Sequence, residues 1–408
     1  IDNDKVNDIK WQVVEAPRFF EAMVVGRDCR ELAVITSRIC GICSIGHTFA
    51  SLKATEDAFG IQISEQTRRL REILNHGENL QSHILHVGYL VAPDLFRQNS
   101  VVPLVATHKE LVLKIVKLHR IANTICDVVG GRTTHPVRTA INGFSKLPTP
   151  RELEDLKQKL TEGLGDLKDL AEALKPLAGE FPAFERETEY VSLSLPSEYA
   201  IYDGQIRSTD VKEAIPVSEY ERVVNEYVSP NSTAKYTKFN RNSYMAGALA
   251  RYNNNHEQLT ETSRAVAAEL GLNGVNYNPF MNNIAQVVEC VFSMERSIDH
   301  INWLLDKGMQ EEDPHFRPRE GRGVGAVDVP RGILFHDYTY DKNGKCVKAN
   351  CVIPTNQNHA NIQEDMNKMV PEYKDRGKEE LEFLLQMLVR AYDPCISCST
   401  HHMNVEFV

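Results

Sequence analysis

Two Cys-x-x-Cys pairs stand far apart in this chain: Cys40-Gly41-Ile42-Cys43 and Cys395-Ile396-Ser397-Cys398. Each is followed by a histidine, His47 after the first and His401 after the second. Two residues between paired thiols place both sulfurs on one turn, which suits chelation of a soft metal. Cys43 and Cys395 lie 352 positions apart (395 − 43), whereas zinc modules keep their pairs about 15–20 residues apart. Three chemistries use four thiolates: a structural zinc knot, an iron–sulfur cluster, and a thiolate-bound nickel, copper or iron centre. A thioredoxin-like redox pair needs one such motif beside a βαβ pattern, which is absent here. His83 and His86, three apart on one helix face, read as packed histidines with buried partners rather than as a metal pair.

The elements that must hold these residues are mostly helical. Residues 8–35 read as a short strand, with Ile9, Trp11 and Val13 alternating, followed by a helix. The first cysteine motif leads into a helix through Phe49, Leu52 and Phe59, which Gly60 is placed to end. A long helix is expected from about Gln66 to Val91. Another carries Leu111, Ile115, Leu118, Ala122, Ile125 and Val129 on one face and closes at Gly130-Gly131. A third starts with Thr149 as cap, Pro150 in the first turn and Glu152 completing a capping box, and runs to near Pro176. From about Arg186 to Asn255 tyrosine, serine and threonine rise, and the alternation of Tyr190 to Leu195 predicts strands in a smaller irregular lobe. Helices return at roughly 256–270 and 283–308. Residues 322–355 are Gly-rich, then strand-like, with Asp341-Lys342-Asn343-Gly344 as a turn. A final long helix, about His359 to Tyr392, delivers the second pair. The expected class is mainly α with peripheral β (α+β), partitioned as 1–185, 186–255 and 256–408 around one composite catalytic unit.

Bulk numbers narrow the function classes. The 408 residues, 42% hydrophobic, suffice for a large core. A formal net charge of −10 gives little general attraction to nucleic acid or to an anionic membrane surface. The most apolar run, His86 to Phe96, is interrupted by Pro93 and Asp94 and is shorter than the roughly 20 residues a span needs. No signal-peptide pattern is visible, so a cytoplasmic location is expected. Nine cysteines make a poor disulfide framework. Cys126 reads as a small core residue. Cys346 and Cys351 flank the expected hairpin and would pair only in an oxidising compartment.

The flanks of the two pairs decide among the metal readings. Arg38-Ile39-Cys40-Gly41-Ile42-Cys43-Ser44-Ile45-Gly46-His47 and Asp393-Pro394-Cys395-Ile396-Ser397-Cys398-Ser399-Thr400-His401 resemble the two signatures of the large subunit of nickel–iron (NiFe) hydrogenases, R-x-C-G-x-C-x-x-x-H and D-P-C-x-x-C-x-x-H. Ser82 to His86, Gly130-Gly131-Arg132 with His135-Pro136, and Pro330-Arg331-Gly332 also look like landmarks of that family. The length and the Pro17-Arg18-Phe19-Phe20-Glu21 element are most similar to the cytoplasmic multi-subunit group, whose members couple hydrogen to NAD(P), F420 or heterodisulfide-type partners.

The resemblance implies a long-helix bundle core of the family type and reversible heterolytic cleavage of H2, a hydrogen:acceptor oxidoreductase activity (EC 1.12 class). It implies Cys40 and Cys395 as terminal nickel ligands and Cys43 and Cys398 as nickel–iron bridges, with carbonyl and cyanide on the iron. Arg331, after Pro330, would sit over the metal site, paired with Asp94. Thr355, after Pro354, would present a hydroxyl to a second cyanide. Glu21 and His401 would hold a magnesium or similar divalent ion, and His47 would lie near the small-subunit interface. Cys395 and Cys398 are candidates for the first proton step. Electrons would leave through iron–sulfur clusters carried only by a small partner subunit, then through flavin/NAD(P), F420 or heterodisulfide reductase-type subunits. No nucleic acid and no direct membrane span are implied.

Two departures from the family pattern stand out. The usual opening strand with Arg-x-Glu-Gly-His, whose glutamate relays protons, is not in this sequence. Seven residues follow His401, where family members are generally cut; the tail is expected to be retained, and an intact mass ending at His401 would refute that. Asp328 is a milder departure, since the family usually has Glu-Ala-Pro-Arg. The competing readings are a zinc-stapled structural or interaction subunit, and a hydrogenase-derived subunit of the respiratory complex I type. The latter lineage typically lacks the paired cysteines.

Overall fold

The computed structural model describes residues 6, 8–230 and 232–400. In chain order, short helices α1 (Phe20–Val24) and α2 (Cys29–Thr36) precede α3 (Ser44–Phe59), α4 (Glu65–Leu85), α5 (Lys109–Ile125) and α6 (Pro150–Leu174). The expected capping box of α6 is fully made, with Thr149 and Glu152 bonding reciprocally. Gly60 ends α3 in the left-handed conformation, at φ 64°. The helix expected to Val91 is α4 continued by a wide turn at His86–Val91, and α5 ends in a similar turn at Cys126–Gly130 before left-handed Gly131.

Residues 186–255 supply small sheets. Strands β1 (Glu189–Ser194), β2 (Gln205–Ser208) and β5 (Tyr244–Met245) form one, in the order β2-β1-β5, with β1 and β5 parallel. A hairpin of β3 (Asn225–Val228) and β4 (Lys235–Lys238) forms another. Helices α7 (Ala248–Asn255), α8 (Glu261–Glu269) and the long α9 (Asn282–Lys307) follow.

A three-stranded antiparallel sheet then carries the Pro-Arg-Gly segment: β6 (Gly321–Val329), β7 (Gly332–Tyr340) and β8 (Cys346–Val352), in the order β8-β7-β6. Val329 pairs with Gly332, so Pro330 and Arg331 are the two central residues of a tight hairpin turn. Helices α10 (Pro354–Tyr373), α11 (Lys378–Ala391) and the single-turn α12 (Ile396–Ser399) close the described chain. The mainly α, α+β class is observed. One continuous apolar core spans α2 to α11, and a smaller one joins β1 and β2 to β6 and β7.

The Gly-rich opening of 322–355, expected to precede the strands, is itself strand β6, because its glycines let α3 lie directly on it. A Cβ on Gly323 would stand 2.2 Å from the Ala54 carbonyl oxygen, and one on Gly325 would stand 2.2 Å from that of Ala50. Three other expectations are corrected. Residues 8–13 form no strand; Trp11 is held by Gln363 and His359 of α10 instead of a neighbouring strand. The final helix is broken at Gly377 (φ 87°) into α10 and α11. Cys346 and Cys351 sit on one strand, opposite Tyr340 and His336, and all nine cysteines are free. Five residues of extended chain separate thiols too far to bridge.

Candidate metal centre

The four motif cysteines meet where α3, the Pro330–Arg331 turn and α12 converge. Cys40 Sγ lies 3.7 Å from Cys395 Sγ, and Cys395 Sγ lies 2.6 Å from Cys398 Sγ. Potential ligand atoms of Cys40, Cys395 and Cys398 all fall within 4.8 Å of one another, as do those of Cys43, His47 and Cys398. Cys395 is partly exposed and the other three are buried. The local backbone builds each half. Ile42 and Cys43 donate their N–H groups to Cys40 Sγ, at 3.3 and 3.1 Å. Cys395 donates its N–H to Thr355 Oγ1 at 3.1 Å, which ties the second pair to the first turn of α10. Pro354 is the first residue of that helix, where its missing N–H costs nothing. The Arg18 guanidinium donates to Ile39 O (2.6 Å) and to Ser397 O, one carbonyl beside each pair, and so staples the two halves.

Crowding splits the thiols. Hydrogen bonds from Cys398, Cys40 and Cys43 hold the Cys395 thiol far below its ordinary pKa, with the Arg331 charge helping. The same bonds, with burial, push Cys43 and Cys398 well up. Such a set, part thiolate and part thiol until metal binds, with partners close enough to share two ions, suits soft-metal ligation.

Arg331 is buried over the set. Burial pulls its pKa down, but Asp393 and the neighbouring cysteines Cys395, Cys43 and Cys40 outweigh that and keep it charged. Its fork grips one residue twice: Nε donates to the Asp393 carbonyl, and Nη2 donates to Asp393 Oδ1 at 2.8 Å. Asp393 adopts a left-handed backbone, at φ 50°, which an aspartate tolerates better than most residues. Asp94 is not the partner of Arg331. It pairs with Arg390 of α11, because the turn after α4 carries it to that side.

Glu78, Arg251, Glu289 and Asp393 complete the surroundings, and sequence reasoning did not single them out. Glu78 of α4 accepts from the N–H groups of Ile45 (2.8 Å) and Gly46 (2.9 Å), capping α3 in place of a side chain of its own. Burial and the nearby Cys40 push its pKa up to about 8, against those two donors. Arg251 is fully buried under the Pro330–Arg331 turn. It donates to both Glu289 oxygens (2.6 and 2.7 Å), to Asp328 Oδ1 (2.9 Å) and to the carbonyls of Val329 and Pro330. Asp328 is therefore accounted for: its shorter side chain reaches Arg251 while also accepting the Leu193 N–H at 2.7 Å. The available signal was a charged residue inside a locally apolar run, as Glu289 is between Val287-Val288 and Cys290-Val291-Phe292, and Arg251 between Leu249-Ala250 and Tyr252.

His47 is buried, lies with Cys43 and Cys398 in one cluster of potential ligand atoms, and bonds His336 at 3.1 Å. Glu21 is buried and accepts the Cys351 N–H of β8 at 2.7 Å. His401 and the tail lie outside the described residues. His83 and His86 bond Glu289 and Gln286 respectively, as packed histidines should.

Comparison with known proteins gives one consistent result. A model of the nickel-dependent hydrogenase family matches residues 18–109 and 193–401. The chain is 33% identical to the alpha chain of sulfhydrogenase 1 from Pyrococcus furiosus, over 98% of this chain and 93% of that one. It is 30% identical to a chain of the F420-non-reducing hydrogenase of Methanothermobacter marburgensis, over 99% and 91%. The fold matches the crystal structure of an NAD+-reducing nickel–iron hydrogenase in its H2-reduced state with a TM-score of 0.89 at 24% identity, covering 98% of this chain and 94% of the other.

Proposed function

The chain belongs to the nickel-dependent hydrogenase family, and we propose that the convergence of its two Cys-x-x-Cys pairs under Arg331 forms the nickel–iron centre of the large subunit. It is the catalytic subunit of a hydrogenase, an oxidoreductase that cleaves H2 reversibly into protons and electrons. The observation that carries the site assignment is the meeting of Cys40, Cys43, Cys395 and Cys398 within a few ångströms of one another.

Cys40 and Cys395 would be terminal ligands and Cys43 and Cys398 bridging ones, with the iron bearing carbonyl and cyanide. Bound there, the metals supply the electrophile that polarises H2. This chain's residues do the rest. Arg331 holds a fixed positive charge over the thiolates. Thr355 accepts the Cys395 N–H and so orients that residue, and its hydroxyl proton would be free to meet a ligand of the iron. Cys395 and Cys398 would be the candidates to take the first proton, Cys395 being the more accessible of the two. Glu21 would contribute a carboxylate oxygen to a magnesium ion, a hard ligand for a hard cation.

Electrons must leave through a partner, because the remaining five cysteines, Cys29, Cys126, Cys290, Cys346 and Cys351, build no second cluster among the described residues. A small iron–sulfur subunit fits that need, with flavin/NAD(P), F420 or heterodisulfide-type subunits beyond it. Among the described residues no helix is long and apolar enough to cross a membrane, in keeping with a cytoplasmic assembly. Metal analysis of the purified complex tests the reading: nickel and an extra iron at one each per chain, with infrared bands of iron-bound carbonyl and cyanide, are expected. Zinc alone in the four-thiol site, or no such bands in active protein, would overturn it.

A further inference from the structure

Helices α4 and α9 pack in a way their burial does not predict. The contact face of two largely buried helices is ordinarily apolar, yet here both present polar side chains at helical spacing. On α4 and the first residue of the turn that continues it these are Glu72, Asn75, His76, Asn79, His83 and His86; on α9 they are Gln286, Glu289, Ser293, Ser297 and His300. All are buried. They meet in antiparallel register. His86 Nδ1 lies 2.6 Å from Gln286 Oε1, His83 Nε2 2.8 Å from Glu289 Oε2, His76 Nδ1 3.2 Å from Ser293 Oγ, and Glu72 Oε2 3.2 Å from His300 Nε2.

One end of this seam touches the metal centre. Gln286 Nε2 donates to Asp393 Oδ2 at 3.3 Å, and Asp393 is the residue gripped by Arg331. The other end reaches toward solvent. Glu72 bonds the partly exposed Arg68, and its neighbours Glu198 and Arg296 are each 29% exposed. A polar cavity of about 20 Å³ lies there, lined by Glu72, Asn75, His76, Arg296 and His300 among others, and that is room for a water molecule.

Between the two ends the protein leaves polar atoms without protein partners: both amide atoms of Asn75, both of Asn79, Ser297 Oγ and His83 Nδ1. Each such atom, left dry, would forfeit the hydrogen bonds it made in water and gain none in return. Several in one seam are tolerated only if water meets them. The stretch without a direct cross-link, from His76 to His83, is about 10 Å of helix, and Asn79 stands in its middle.

We propose that the α4–α9 seam is a hydrated proton route joining the metal centre, at Asp393 and Gln286, to bulk water at the Glu72–His300 cavity, with Asn75, Asn79 and Ser297 holding its waters. The inference rests on the hydrogenase reading. A proton released by H2 cleavage enters the seam at His86, whose Nε2 stands 4.0 Å from Asp393 Oδ1, with Gln286 only orienting that ring, and it displaces protons stepwise along histidines and waters. The last of these protonates the Glu72 carboxylate, which releases its proton to bulk. No electron moves along the seam and no atom is consumed. Glu72 is suited to the exit, because burial, opposed by Arg68, raises its carboxyl to about 8.

The test uses the complete enzyme complex. Exchange of H2 with D2O, followed by mass spectrometry and normalised to nickel, should fall at least tenfold in Glu72→Gln and Asn79→Leu, while the infrared bands of the centre stay unshifted. Glu72→Asp should recover most of the exchange, which a packing role would not allow. Ser297→Val carries the same expectation should Asn79→Leu fail to load nickel. A high-resolution crystal structure should place ordered waters against the Asn75 and Asn79 amides. Wild-type exchange rates in all three blocking variants, or a dry seam, would overturn the route alone. A nickel-free wild-type complex incapable of exchange would overturn the hydrogenase reading and the route with it.

Discussion

Replacing Arg251 with methionine should destabilise the protein by about 3–5 kcal/mol, the usual effect of stripping the partner from a buried charge. The side chain is fully buried, so its loss leaves Glu289 and Asp328 facing each other without a cation. Burial favours a protonated Glu289, but Arg251 overrides it and holds that carboxyl at about 2. Asp328, pushed up by burial to about 6 against the same arginine, would rise further in the variant. An unfolding entropy of about 2.1 cal/mol/K per residue over 408 residues gives about 0.86 kcal/mol/K. The expected drop in melting temperature is therefore about 4–6 °C. Nickel content should fall in parallel, since Arg251 also holds the Val329 and Pro330 carbonyls that aim Arg331. The double variant Arg251→Met/Glu289→Gln should melt above the single one, because a neutral amide replaces the stranded carboxylate. Differential scanning calorimetry with nickel analysis is the assay. A single-variant drop under 1 °C, or a double variant that melts below the Arg251→Met single, would refute the reasoning.

Further expectations follow from the same geometry. Asp393→Asn keeps the carbonyl contact to Arg331 and removes the ion pair, so hydrogen uptake per nickel should fall by about 10- to 100-fold, in line with roughly 1.5–3 kcal/mol for a charged hydrogen bond; an unchanged rate would refute the role of the pair. Gly325→Ala forces a methyl to within 2.2 Å of the Ala50 carbonyl, and its thermal stability should drop by more than the 1–3 kcal/mol of ordinary overpacking. In metal-free protein, the raised carboxyl of Glu78 makes the folded state hold an extra proton between pH 4.5 and about 8. Its stabilising effect is complete below pH 4.5 and is lost as pH rises through 8, with a slope of up to about 1.4 kcal/mol per pH unit; melts of Glu78→Gln across pH 5–8 should be flatter than wild type. Metal-free protein should be alkylated first at Cys395, the one partly exposed thiol of the four, and metal loading should protect it, as peptide mapping will show.

Much of this was legible in the residues because it is local. The capping box at Thr149, the Gly60 stop, the turn at 341–344 and the apolar helical stripes each follow from a few neighbouring positions, and each is found. The metal set was legible because its two motifs carry their own flanks. What escaped was long-range. Nothing near Asp94 says that it faces Arg390 rather than Arg331; that depends on how α11 returns. Glu78 and Arg251 serve elements about 30 and 80 positions away, so no window of sequence contains both the charge and its purpose. Strand β6 was hidden because alternate glycines, poor strand formers in isolation, are required by a helix that arrives from elsewhere.

The distance between the two cysteine pairs also sets an order of events. Closing a loop of 352 residues (395 − 43) carries an entropic term of about (3/2)RT ln n, roughly 5 kcal/mol. The Cys40–Cys43 half, by contrast, is built on α3 and fixed by the Glu78 cap, whose bond to Ile45 spans only 33 positions. A half-site with two thiols therefore exists before the other half docks. Arg18, which touches a carbonyl beside each pair, then acts as a latch that can engage only when α12 swings home. Metal delivered to the first pair would be enclosed by the last step of folding, so the finished centre has no need of an open door for ions.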